Sequence, residues 1–119
     1  MNKEKESILT SIKKMLGIQE DYTNFDTDII ININTVFGIL NQLGVGPKEG
    51  FKIEDSGQTW EDYISEGDDL EAIKTYIYLK VKIVFDPALS GTVMEANKEI
   101  IRELEWRLNM HHEYDEEVI

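Results

Sequence analysis

The chain has 119 residues, 41% of them apolar and 30% charged, and its 24 acidic residues against 12 basic ones leave a formal charge of −12. That length suits one domain, able to bury a little over about 60% of its unfolded surface. There is no cysteine, hence no disulfide, thiolate ligand or thiol nucleophile, in keeping with a reducing compartment. The charge excludes a free-standing nucleic-acid binder, which needs a basic footprint, and opposes adsorption to anionic membranes.

The opening Met1-Asn2-Lys3-Glu4-Lys5-Glu6 is charged and lacks the apolar region of a signal peptide, so no secretory leader is expected. Residues 4–16 predict a short helix with Ile8, Leu9, Ile12, Met15 and Leu16 at helical spacing. Lys13 and Lys14 suit the carbonyl end of its dipole, and Gly17 suits the residue after the cap. A polar link follows, with Thr23 or Asp26 as cap for a helix over 27–43. There Ile29, Ile33, Val36, Leu40 and Leu43 form a stripe that Ile30 and Phe37 widen. The run Ile29-Ile30-Ile31 is far too short to span a bilayer. A helix apolar on more than one side is expected at the centre of a bundle, with Asn32, Asn34 and Asn41 off its main stripe.

Residues 44–58 lose the helical period and are punctuated by Gly44, Gly46, Pro47 and Gly50, which predicts a long loop or a short β-hairpin. Thr59-Trp60-Glu61-Asp62 reads as a capping box opening a short helix with Trp60, Tyr63 and Ile64 on one face. Asp68-Asp69-Leu70-Glu71 repeats the pattern for a helix over 69–85, with Leu70, Ile73, Ile77, Val81 and Val84 as the buried stripe and Tyr76, Leu79 and Ile83 as its flank. Asp86-Pro87 stops that helix, because proline disfavours α-geometry in the residue before it. Thr92-Val93-Met94-Glu95 reads as a further capping box, opening a helix over 93–111 with Val93, Ala96, Ile100, Ile101, Leu104 and Leu108 inward. Residues 110–119 read as a flexible acidic tail. The fold class is mainly α: a single-domain bundle of about four to five helices.

No catalytic or cofactor constellation emerges from these residues. His111 and His112 are adjacent and cannot share a helix face, and His111 with Asp115 supplies only two ligands. The carboxylate pairs lack an apolar pocket that would raise one pKa, and Asp68, Asp69 and Asp86 have capping or turn roles. Gly44-Val45-Gly46-Pro47-Lys48-Glu49-Gly50 matches no phosphate-loop pattern. The expectation is therefore no enzyme, no metal and no cofactor. Trp106 stands between Glu105 and Arg107, off the Ile101/Leu104/Leu108 line, and is the better interface candidate of the two tryptophans. Candidate partner-binding residues are Trp106, Met110, His111 and Tyr114 towards the C-terminus, with Phe51 and Ile53 in the loop.

Several stretches resemble one family. Ile8-Leu9-Thr10-Ser11-Ile12-Lys13-Lys14-Met15-Leu16-Gly17-Ile18, Asn41-Gln42-Leu43-Gly44-Val45-Gly46-Pro47 and Thr59-Trp60-Glu61-Asp62 are similar to small bacteriophage proteins of the head–tail connector (adaptor, head-completion) family. So is Phe85-Asp86-Pro87 followed by Glu103-Leu104-Glu105-Trp106-Arg107-Leu108-Asn109. None of these motifs is catalytic, and Ala88-Leu89-Ser90-Gly91 stands where the family often has a second proline or polar residue. The resemblance implies a helical bundle with an extended loop and a virion assembly protein of phage or prophage origin. It implies a self-assembled, dodecameric ring under the portal protein, lengthening the DNA channel and presenting a platform to the next connector or tail protein. It places the chain at the head–tail interface of the virion, and in the bacterial host cytoplasm during assembly. Packaged DNA would pass without specific binding, and an acidic lumen would repel rather than hold it. The competing reading is a small acidic adaptor, such as a DNA-mimicking inhibitor of a nucleic-acid enzyme.

Overall fold

The computed structural model describes residues 6–64, 69–85 and 91–118, with side chains described as far as Met110. The architecture is mainly helical: α1 (Ile8–Met15), α2 (Asp26–Gln42), α3 (Trp60–Tyr63), α4 (Leu70–Phe85) and α5 (Gly91–Val118). The expected break at Asp86-Pro87 and the cap at Asp68 lie outside the described residues.

Local chemistry sets most of the visible boundaries. The Ser7 hydroxyl caps α1 by accepting from the Thr10 N–H. At its other end Gly17, at φ 81°, donates to the Lys14 carbonyl while Ile18 donates to that of Lys13. These paired bonds satisfy carbonyls that the helix leaves open. The C-terminus of α2 repeats the arrangement, with Gly44 on Asn41 and Val45 on Leu40. Thr59 and Asp62 form the expected reciprocal capping box of α3. Two expected caps fail. Phe25, not Thr23 or Asp26, is the N-cap of α2, and no side chain caps it; the Asp26 carboxylate is turned to Lys13 instead. Thr92 lies inside α5, which begins at Gly91 and continues past 111 to Val118. A Thr-x-x-Glu pattern suits a first helical turn as well as the residue ahead of it.

Packing centres on α4, which contacts α1, α2 and α5, rather than on α2, which contacts α1 and α4. The core joins Ile8, Leu9 and Ile12 of α1 to Ile29, Ile33, Val36 and Leu40 of α2, with Ile73, Tyr76, Ile77 and Val81 of α4 between them. Tyr76 and Leu79, expected on the flank of α4, are buried, whereas Val84 from the expected stripe is 61% exposed. Likewise Ile101 and Leu108 of α5 are buried, but Val93 and Ile100 are exposed because α5 packs chiefly along α4.

Residues 44–58 take the loop form, held to the body at several points. Asn34 Nδ2 donates to the Ile53 carbonyl and Asn34 Oδ1 accepts from the Ile53 N–H. Asn41 Nδ2 donates to the carbonyls of Pro47 and Lys48. The loop ends against the start of α1, where the Ile8 N–H bonds the Gln58 carbonyl and the Trp60 N–H bonds that of Glu6. Phe51 packs with Phe37 and Tyr63 in a three-ring cluster with centroids 4.6 to 5.2 Å apart. Each such pair adds about 0.5–1.5 kcal/mol beyond its buried area. The second apolar flank of α2 is thus covered by the loop, not by another helix. Gly46, at φ 86°, lies directly over the Tyr63 ring, where a Cβ would come within 2.6 Å of Cε1.

Candidate functional site

The feature best placed to meet a partner is the outer face of α5. Between Gly91 and Val118 the sequence has no proline and is rich in Glu, with Arg, Leu and Met among its other good helix formers. Ion pairs Glu95–Lys98, Glu99–Arg102 and Glu103–Arg107 line its exposed side. Each contributes a few tenths of a kcal/mol to the helix. The inward side is a narrow line through Ile101 and Leu108, with Leu104 partly buried. Tyr76 of α4 fixes the docking angle, its hydroxyl donating to Glu105 Oε2 at 2.7 Å. Burial, with the Glu105 hydrogen bond and charge, pushes the Tyr76 phenol well above its ordinary range.

This registration turns Trp106 outward, 64% exposed, with Met110 one turn on and 42% exposed. An exposed tryptophan with a neighbouring methionine is an apolar patch of the composition enriched at interface centres. His111 and Tyr114 follow in the same helix backbone, and their side chains lie outside the described residues. The two loop candidates sit elsewhere. Ile53 is 1% exposed and belongs to the chain's own core, and Phe51 is half-buried against Phe37 and Tyr63. The structure therefore brings Trp106 and Met110 together on one surface and gives Phe51 and Ile53 intramolecular partners.

Three further groups escape a reading by periodicity. Lys13 is only 2% exposed; its ammonium donates to the carbonyls of Glu20 and Tyr22 at 2.9 and 2.8 Å and pairs with Asp26 Oδ1 at 2.8 Å. It ties the α1–α2 link to both helices. Trp60 is buried, its indole N–H donating to Ser11 Oγ at 2.8 Å, and Lys74 lies 5.4 Å over its ring. A groove lies between α2, α4 and α5, lined by Val36, Ile39, Ile83, Val84 and Ile101. Among the described residues no three His, Asp or Glu side chains converge on a metal-sized site, and no helix is long and apolar enough to cross a membrane.

The fold and this surface define a small helical protein with an exposed apolar pair, Trp106 and Met110, on its last helix. Residues 8–115 match the family described as phage connector protein, and the chain belongs to that family. No curated protein and no solved structure gives a match. Membership makes it a structural phage connector protein, a component of the virion whose partners are phage portal or tail proteins.

Proposed function

We propose that this chain assembles as a ring beneath the portal, lengthens the channel through which DNA passes, and presents the platform on which the next connector or tail protein docks. The role is non-catalytic. One observation carries the reading beyond family membership: a helix whose inward line is satisfied still exposes Trp106 and Met110 on its outer face. A formal charge of −12 on 119 residues suits a channel wall past which DNA must slide without adhering.

The test is light scattering and electron microscopy of the purified chain, alone and with its cognate portal protein. The expected result is a ring coaxial with the portal. No association at high micromolar concentration would overturn the reading. So would a pull-down recovering a nucleic-acid enzyme in place of portal.

A further inference from the structure

The hollow between α2, α4 and α5 has a volume of about 410 Å³. That is well above the roughly 150 Å³ of an apolar cavity that accepts benzene. A neighbouring hollow of about 300 Å³ shares Asn32 and Val84 with it and extends the groove to Ile31 and Phe85. The floor is apolar and open, with Ile31 57% and Val84 61% exposed. Lys80, Lys98 and Arg102 line the larger hollow with one carboxylate, Glu105; Lys98 and Arg102 also pair with Glu95 and Glu99 on the exposed side of α5.

We propose that this groove receives the Trp106–Met110 face of α5 from a second copy of the chain. The two surfaces are complementary. Trp106 and Met110 are apolar knobs for an apolar floor. Glu99 and Glu103, seven and three positions before Trp106, bring carboxylates towards the cations of the rim. Arg102 and Arg107 pair with those carboxylates within one copy, but such exposed pairs contribute little and exchange readily for a partner's charge. The directions are complementary too. Ile101 faces the groove, and Trp106, five positions on, is turned about 140° away at roughly 100° per residue. A knob and a hole pointing in different directions make a head-to-tail contact, and such contacts close into rings when the rotation permits. The inference rests on the ring reading above and names the surface that builds the ring.

The chain has no cysteine, so single-cysteine variants V84C and M110C, which leave Trp106 in place, can be mixed and mildly oxidised, with and without the portal protein, while assembly is followed by light scattering. A mixed disulfide dimer joining positions 84 and 110 is expected, and a ladder of higher species from the V84C/M110C double variant. The separate variants Val84→Asp and Trp106→Ala should each weaken self-association at least about tenfold with unchanged far-UV circular dichroism, since both residues are exposed. Assembly without the mixed disulfide would overturn this interface and leave the ring reading standing. Capture of V84C by portal, or M110C pairing with itself alone, would overturn it likewise. Absence of assembly under all conditions would overturn both.

Discussion

Asn34 uses both ends of its side-chain amide on one residue, donating to the Ile53 carbonyl at 2.9 Å and accepting from its N–H at 2.7 Å. A helix side chain thereby gives the loop the partner that a neighbouring strand would supply. Asn34→Ala strands two backbone groups beside a buried isoleucine, and urea unfolding should show a loss of about 2 kcal/mol. Asn32→Ala removes only an exposed bond to the Asp28 carbonyl of its own helix and should stay within about 0.5 kcal/mol. Equal losses would mean that the loop is not held through Asn34. Tyr63 sets a pH dependence. Its hydroxyl is buried without a hydrogen-bond partner among the described residues, and burial pushes the phenol up from 10.0 to about 12. The unfolded chain gives up this proton near pH 10, so between pH 10 and 12 the folded state binds more protons and stability falls as pH rises. Below that window the group contributes no slope. Denaturant titrations at pH 9 and pH 11.5 should show the fall, and Tyr63→Phe should reduce it at little cost at neutral pH. An unchanged slope in Tyr63→Phe would rule the assignment out.

The helices tolerate different losses because they have different numbers of neighbours. α4 is packed on three sides, whereas α5 packs chiefly on α4, through Ile101, Leu108 and the Tyr76–Glu105 hydrogen bond. Tyr76→Phe should therefore act as a local opening: amide exchange in α5 around 101–108 should rise about tenfold, with much smaller changes in α1 and α2. A uniform rise across all helices would mean that α5 opens only with the whole domain. The same asymmetry explains what could be read in advance. Periodicity locates a face that can be buried, so α1, α2, α4 and the line through Ile101, Leu104 and Leu108 were legible. It does not say whether a neighbour reaches that face, so Val84, Val93 and Ile100 are exposed against expectation. Gly17 and the Thr59–Asp62 capping box were legible because their chemistry is complete within a few residues. The Asn34 clamp was not, because its partner lies 19 positions along the chain. The seven-residue spacing of Asn34 and Asn41, two poor helix formers on one side of a helix, was the available signal. Lys13 escaped because a long side chain near a helix end can turn inward as readily as outward when carbonyls wait there.

At the scale of the whole molecule, the described core and the end of α5 are separate parts of the chain. Leu108 is the last residue of the described core, while the helix continues to Val118. The final turns hold Glu113, Asp115, Glu116 and Glu117, four of the 24 acidic residues behind the net charge of −12. Those charges repel one another and the acidic body, an electrostatic cost that contact with a basic surface of another protein would relieve. Truncation after Met110 removes no described core side chain and should leave the unfolding free energy within about 0.5 kcal/mol of the full chain. Docking to the portal protein, followed by light scattering, should weaken at least about tenfold, the scale expected when part of an interface is removed. The two readouts separate the possibilities: lost stability would make the last turns part of the fold, and intact docking would confine the contact to residues before 111.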